Sequence, residues 1–280
     1  ISFHSKDLTI EDVFLENPNE EKTPWRLEYE IQPENDELRV FPKRKKTGEN
    51  FDFGGNVKIS VEFSVKITDS MHGLYPCYYE ENGEKKEMFA TQFESHHARE
   101  VFPCVDEPEA KATFDVMLEF SSEVKPSQIL GNTKAHFNIF DGPSTIANFE
   151  QTPKMSTYLL AFAFGDLQKK SAKTKNGVEV SVWSTKAQKS DLLDFPLKVA
   201  VDVLEFYEDY FGVKFPLKKC DHLALPDFSS GAMENWGLIT YRETALLAGK
   251  ESAISSLKYV ALVVAHETSH QWFGNLVTMK

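Results

Sequence analysis

An α+β protein is predicted, with an antiparallel β region first and helices joining the strands only later in the chain. Three observations carry that expectation. Apolar and polar residues alternate over residues 57–67, short apolar runs separated by turn clusters occupy the first 165 residues, and beyond residue 184 the apolar period lengthens from two to about 3.6.

The alternating run is the clearest strand. Val57, Ile59, Val61, Phe63, Val65 and Ile67 fall on one face and Lys58, Ser60, Glu62, Ser64 and Lys66 on the other, as in a sheet with one side buried. Runs at residues 26–31, 37–41, 113–120, 144–150 and 158–164 read as further strands, because Pro33-Glu34-Asn35-Asp36, Gly54-Gly55 and Asp141-Gly142-Pro143 supply turn chemistry around them. One more strand, residues 178–184, follows a lysine-rich turn at 169–177. Leu197, Ala200, Val201, Leu204, Tyr207 and Phe211 then recur at helical spacing, with Pro196 tolerable in a first turn and Gly212 a suitable stop, so an amphipathic helix is expected. After an extended stretch around residues 217–241, a second helix starts from an N-cap at Ser252 or Ser255 and runs through Leu257, Val260, Ala261, Val264 and His270 to Gly274. The apolar run 260–265 predicts that this helix is buried. The change of period divides the chain near residue 166, into units 1–166 and 167–280, with no Pro-rich or Ser-rich linker between them.

Of 280 residues, 41% are hydrophobic, which supports a sizeable core in two domains and excludes a disordered chain. Lys plus Arg number 31 against 43 Asp plus Glu, and a net charge of −12 argues against nucleic acid or an anionic membrane as partner. No apolar run approaches the ~18 residues needed to span a bilayer. Cys77, Cys104 and Cys220 are widely spaced, odd in number and without a Cys-x-x-Cys pair, so neither a disulfide framework nor a thiolate zinc knuckle is expected and a reducing, cytoplasmic setting fits best. The opening Ile-Ser-Phe-His-Ser-Lys-Asp has no initiator Met, basic start or apolar h-region, so targeting information is expected to have been lost.

The chemistry is concentrated in His266-Glu267-Thr268-Ser269-His270. Histidines four apart on a helix project from one face, one turn above the other, and their imidazoles can converge on a single zinc ion. Glu267 sits at the edge of that face, where it can take a proton from water at the metal. Two imidazoles facing each other in a core without a metal would be two costly polar groups, so ligation is preferred over a satisfied core pair. A second group, Gly231-Ala232-Met233-Glu234-Asn235-Trp236, taken alone reads as an ordinary loop before a strand at 237–241. Blander expectations attach to other features. His96-His97, being adjacent, cannot share a metal from one helix face and reads as a solvated loop, Pro42-Lys43-Arg44-Lys45-Lys46 as a solvated hairpin tip, and Phe206-Tyr207 and Tyr210-Phe211 as core-facing.

Together the two motifs, their separation and the following Gln271-Trp272-Phe273-Gly274-Asn275-Leu276-Val277-Thr278-Met279 closely resemble the aminopeptidase-N-like zinc metallopeptidases, a gluzincin family. Upstream, Thr91-Gln92-Phe93-Glu94 and Ala98-Arg99-Glu100-Val101-Phe102-Pro103-Cys104-Val105-Asp106-Glu107-Pro108 resemble the stretch with which that family reaches from its β domain into the catalytic cleft, and Tyr241-Arg242-Glu243 resembles its continuation of the Gly-Ala-Met-Glu-Asn motif. The resemblance implies a β saddle domain over 1–166, then the first half of a thermolysin-like catalytic domain over 167–280. It implies a zinc (Zn2+) aminopeptidase in which His266 and His270 bind the metal and Glu267 is the general base. Glu234 and Glu94 would hold the α-amino group of a peptide, Gln92 would assist, and Gly231, Ala232, Met233 and Asn235 would line the substrate site, the backbone around Gly231 and Ala232 pairing with the substrate main chain. The implied partners are peptides with a free N-terminus, whose α-amine, with a pKa of about 7.7–8.0, is largely protonated at neutral pH and suits a pair of carboxylates. Fixing the amine fixes which peptide bond meets the metal, so cleavage falls one residue in.

The family's third zinc ligand, a Glu, would stand nine residues past Lys280, and its oxyanion-stabilising Tyr further on. The expectation is therefore a fragment truncated at both ends, inactive alone and weak in zinc binding. Thr268-Ser269 stand where the family has an aliphatic and a small residue, at a modest cost in helix propensity. Two alternatives are a bifunctional hydrolase of the leukotriene-hydrolase branch, against which Ala232 weighs because that branch has Gly-Gly-Met-Glu-Asn, and a catalytically incomplete peptide-binding module.

Overall fold

A computed structural model describes residues 1–16, 24–42, 56–121, 128–138 and 144–279, and its first six strands surround a small core of their own. β1 (Ser2–His4), β2 (Thr9–Glu16), β3 (Trp25–Arg26), β4 (Glu28–Gln32), β5 (Glu37–Phe41) and β6 (Lys58–Ser64) make two antiparallel sheets, ordered β1-β5-β4 and β3-β2-β6. Val13, Leu15, Leu38 and Val40 are buried among them, each such side chain contributing about 1.5–3 kcal/mol by leaving water. The alternation expected of β6 is present, with Ile59, Val61 and Phe63 packed on this core and Lys58 and Glu62 exposed. The strand expected at 26–31 is two strands. Leu27 is buried, donates its N–H to the Val13 carbonyl, and marks where the chain leaves the β2 sheet to pair with β5.

The next seven strands, β7 (Gly73–Glu81), β8 (Glu84–Gln92), β9 (Met117–Phe120), β10 (Gln128–Gly131), β11 (Ala135–Asn138), β12 (Thr145–Phe149) and β13 (Phe162–Gly165), form antiparallel sheets ordered β10-β13-β8-β7 and β11-β12-β9. Two expectations are corrected here. The run at 113–120 is a strand only from Met117, because Phe114 gives its N–H to the Thr152 hydroxyl rather than to a regular ladder. The run at 158–164 begins as a 3-10 turn, Thr157–Leu159, and becomes strand only at Phe162. Tyr158, Leu159, Leu160 and Ala161 are all buried, so no alternation distinguishes the two states, and the Asn132 amide takes both the Ala161 N–H and the Leu159 carbonyl in place of a neighbouring strand.

β14 (Leu167–Lys173) and β15 (Glu179–Thr185) precede α1 (Asp194–Phe211), and β16 (Lys219–Leu225), β17 (Ala232–Met233) and β18 (Leu238–Arg242) precede α2 (Glu243–Leu246) and α3 (Ile254–His270). The sheet is mixed, ordered β14-β15-β16-β18-β17, with β15, β16 and β18 parallel and every residue of the central β16 buried. α1 buries Ala200 and Leu204 and ends at Gly212, whose φ of 65° is the left-handed cap glycine supplies without strain. Tyr207 and Phe211 lie against the core as expected, but Phe206 and Tyr210, one position earlier in the helical period, are 57% and 72% exposed, which corrects the expectation for those two.

α3 starts from Ala253, because the Ser252 hydroxyl accepts the Gly249 N–H and caps the preceding turn instead. It ends at His270, and Gly274 lies in a following turn closed by its N–H to the Val277 carbonyl. The helix is half-buried rather than buried: Val260, Val264, Glu267 and Thr268 face inward, whereas Tyr259 and Leu262 are 48% and 67% exposed. One core runs from Tyr75 to Trp272 and joins the β7–β13 strands to the mixed sheet. Cys77, Cys104 and Cys220 are free and buried within it, and burial pushes the Cys77 and Cys220 thiols up to about 12. Among the described residues no helix is long and apolar enough to cross a membrane. The basic run at 43–46 and the turns at 54–55 and 141–143 lie outside the described residues.

Candidate active site

Residues four apart on α3 are one turn apart, and the His266 and His270 rings therefore meet, with their Nε2 atoms 3.2 Å from each other. Two nitrogens each about 2.0–2.1 Å from a tetrahedral zinc are separated by about 3.3–3.4 Å, so the pair fits that metal. A proton on His270 Nδ1 is donated to the Phe273 carbonyl 2.9 Å away, which leaves the Nε2 lone pair facing His266. The pair does not sit in an apolar core as expected. His266 is exposed and His270 half-buried, because α3 packs on one side only.

Glu267, next to His266 along α3, is only 7% exposed. Burial, followed by repulsion from Glu234 and Glu94, pushes its carboxyl up to about 8. Glu234, also buried, leaves the end of β17 with Oε1 4.0 Å from His270 Nδ1. Glu94 follows β8 at the exposed rim; loss of water to the surrounding protein and then the Glu234 charge raise its carboxyl above the usual range, opposed by His270. Strands from two different sheets thus bring Glu94 and Glu234 to the helix that carries Glu267. Among the described residues no Lys or Arg is ion-paired with any of the three.

The remaining predicted residues lie around this group. Gln92 is the last residue of β8, buried, with its Oε1 unpartnered among the described residues. β17 is the end strand of its sheet, pairing Ala232 with Tyr241 and Met233 with Thr240, while the Gly231 carbonyl accepts the Arg242 N–H; an end strand is where an extended peptide can add main-chain hydrogen bonds. Gly231 is exposed and Ala232 half-buried, whereas Met233 is fully buried in the main core. Asn235, buried, donates to the Thr240 hydroxyl. The Ala98–Pro108 region is held by a pair between Arg99 Nε and the buried Asp106 carboxylate at 3.1 Å.

Other contributors carry no separate signal in the sequence. Tyr158 is 3% exposed, its hydroxyl is unpartnered among the described residues, and burial followed by the charges of Glu234 and Glu94 raises its pKa. Gln271 and Asn275, both buried, donate to the Glu234 carbonyl at 2.9 and 2.8 Å. Gln92, Tyr158, Asn235, Trp236 and Asn275 each keep a buried polar atom without a partner among the described residues, as Tyr79 and Thr185 also do. His97 is not simply solvated as expected: it stacks on His72 and bonds Glu100.

Comparison with known proteins gives the family of the chain. Residues 1–159 match the peptidase M1 N-terminal domain and residues 195–280 match the peptidase family M1 domain. Aminopeptidase N of Lactococcus lactis subsp. lactis is 52% identical over all of this chain, and that of Lactobacillus helveticus 42%, each alignment covering 31% of the relative. The puromycin-sensitive aminopeptidase of Caenorhabditis elegans is 46% identical over 80% of the chain and 24% of its own length. The chain thus spans about a third of the length of the first of these relatives. With both of its halves matched and its whole length aligned at such identities, this chain belongs to peptidase family M1.

Proposed function

We propose that the full-length protein is a zinc aminopeptidase that releases single N-terminal residues from peptides, and that this chain supplies its base, two of its metal ligands and its amine-binding carboxylates. One observation carries the proposal: Glu94, Glu234 and Glu267 converge beside two imidazoles spaced for zinc, with no Lys or Arg ion pair to them among the described residues. Carboxylates so arranged repel one another and are relieved by cations, and a zinc ion and a substrate ammonium are two that fit. The same proposal divides the chain into a β domain over 1–166 and the start of a thermolysin-like catalytic domain over 167–280.

His266 and His270 would hold the zinc through Nε2. Bound there, zinc supplies Lewis acidity toward a peptide carbonyl and toward water. Glu267, next to His266 on the same helix, accepts the proton of the attacking water and returns it to the departing amine. Glu234 and Glu94 bind the substrate ammonium, and the end strand β17 aligns the peptide backbone, so the bond that reaches Glu267 is the first one.

The test is turnover of amino-acid anilides by full-length protein beside its Glu267→Gln variant, with zinc content measured in both. Loss of turnover with zinc retained is expected, and an N-acetylated peptide is expected to be a poor substrate. Efficient cleavage of the acetylated peptide would point to an endopeptidase, and retained turnover would remove Glu267 from its role. The 280-residue chain by itself, bringing two imidazoles without the family's third ligand, is expected to lose its zinc on dialysis against a mild chelator and to lack turnover. Stoichiometric zinc and turnover after such dialysis would show that another of its side chains completes the site.

A further inference from the structure

Glu234 lies in the turn that links β17 to β18, and β17 is only two residues long, so the sheet ladder supplies little to fix that turn. Three buried side-chain amides from elsewhere hold it instead. Gln271 spans both ends, donating to the Glu234 carbonyl at 2.9 Å and accepting the Gly237 N–H at 3.1 Å. Asn275 donates to the same Glu234 carbonyl at 2.8 Å, and Asn132 donates to the Trp236 carbonyl at 2.9 Å. Gly237, with φ of 79°, allows this approach, since a Cβ there would overlap the Asn132 carbonyl.

Gln271 and Asn275 belong to the turn that continues α3. The Asn275 N–H donates to the His270 carbonyl at 3.1 Å, so the clamp on Glu234 is an extension of the element that carries both histidines and Glu267. We propose that Gln271 and Asn275 are positioning residues that set where the Glu234 carboxylate stands relative to the histidine pair, and thereby the selectivity for a free N-terminus; this rests on the amine-binding role proposed above for Glu234. Amine-to-metal distance is then fixed by one rigid helix end rather than by the loop. A buried carbonyl with two donors has little freedom, and removing either donor lets the turn sample positions in which the carboxylate no longer meets an ammonium.

The experiment uses full-length protein with alanine 4-nitroanilide and its N-acetylated form, comparing wild type, Gln271→Met, Asn275→Leu and Glu234→Ala. The two clamp variants are expected to raise KM for the free-amine substrate by about tenfold, to change kcat far less, to lower the ratio of kcat/KM for free over acetylated substrate by about tenfold, and to leave zinc content unchanged. Should Gln271→Met fail to fold, Gln271→Glu keeps the acceptor for the Gly237 N–H and loses only the donor. Its added negative charge would by itself favour an ammonium, so a fall in the ratio would come from the lost donor. If Glu234→Ala lowers the ratio and the clamp variants keep the wild-type ratio, the positioning role is overturned. If Glu234→Ala keeps the ratio, the amine-binding role itself fails.

Discussion

Among the places where the described histidines meet carboxylates, two are charged in opposite senses. At the entry to β7, His72 Nδ1 and His97 Nδ1 lie 2.6 and 3.1 Å from the Glu100 carboxylate, and Lys6 Nζ lies 2.9 Å from it. Burial works against ionisation there, yet hydrogen bonds from Lys6, His97 and His72 hold Glu100 down to about 2. The ligating atoms are within 4.8 Å of one another, close enough for a metal, but Nδ1 of both stacked rings already meets the Glu100 carboxylate, and Lys6 already supplies a cation. Around α3 the outcome reverses: Glu267 is pushed up to about 8 because burial and two other carboxylates are opposed by no Lys or Arg ion pair among the described residues. A histidine–glutamate cluster that closes its own charges is a structural clasp, and one that leaves them open asks for a cation from outside.

The sharpest way to break the comparison is to remove one carboxylate from each place. Glu267→Gln in full-length protein is expected to cost ~10²–10⁴ in turnover with zinc retained, while Glu100→Gln leaves turnover near wild type. Equal losses from both, measured on one anilide, would erase the distinction.

Opposite pH signatures come next. Folded, metal-free chain keeps Glu267 protonated up to about pH 8, whereas the unfolded chain releases that proton near 4.5, so ionisation costs stability progressively as pH rises between those values. Metal-free Glu267→Gln is accordingly expected to match wild type near pH 4.5 and to exceed it by about 2–5 kcal/mol above pH 8, read from urea melts. Glu100 runs the other way. Its folded pKa of about 2 gives stability that is present above 4.5 and lost as pH falls toward 2. Glu100→Gln is therefore expected to destabilise by about 1–3 kcal/mol at pH 7, discounted for partial solvent screening, with the gap closing toward pH 2. The smallest effect belongs to His96, exposed and touching the clasp only by stacking on His97 at 4.8 Å; His96→Ala should shift stability by no more than about 0.5 kcal/mol. A larger shift would mean that His96 shares the charge of the clasp.

Whatever is decided within one turn or one strand was legible in the amino-acid sequence. Alternation over 57–67 placed Ile59, Val61 and Phe63 on a core, helical spacing from Leu197 to Phe211 ended where Gly212 caps, and the four-residue interval between His266 and His270 alone brought their Nε2 atoms to 3.2 Å. Backbone period sets these relations locally, so they survive without knowledge of any partner. Tertiary structure decided the rest. Only the arrangement of the segments after β8 and β17 about α3 makes Glu94, Glu234 and Glu267 neighbours, and burial of Glu267 beside the other two is what raises its carboxyl to about 8. Leu27 splitting a strand, Tyr158 beginning as a turn, the solvent-facing Leu262 and the amides of Asn132, Gln271 and Asn275 on the Glu234–Gly237 turn all depend on which distant segment arrives alongside. Those arrivals are set by sheet register and by side-chain packing across separations that reach 104 residues, between Asn132 and Trp236, and no periodicity along the chain encodes them.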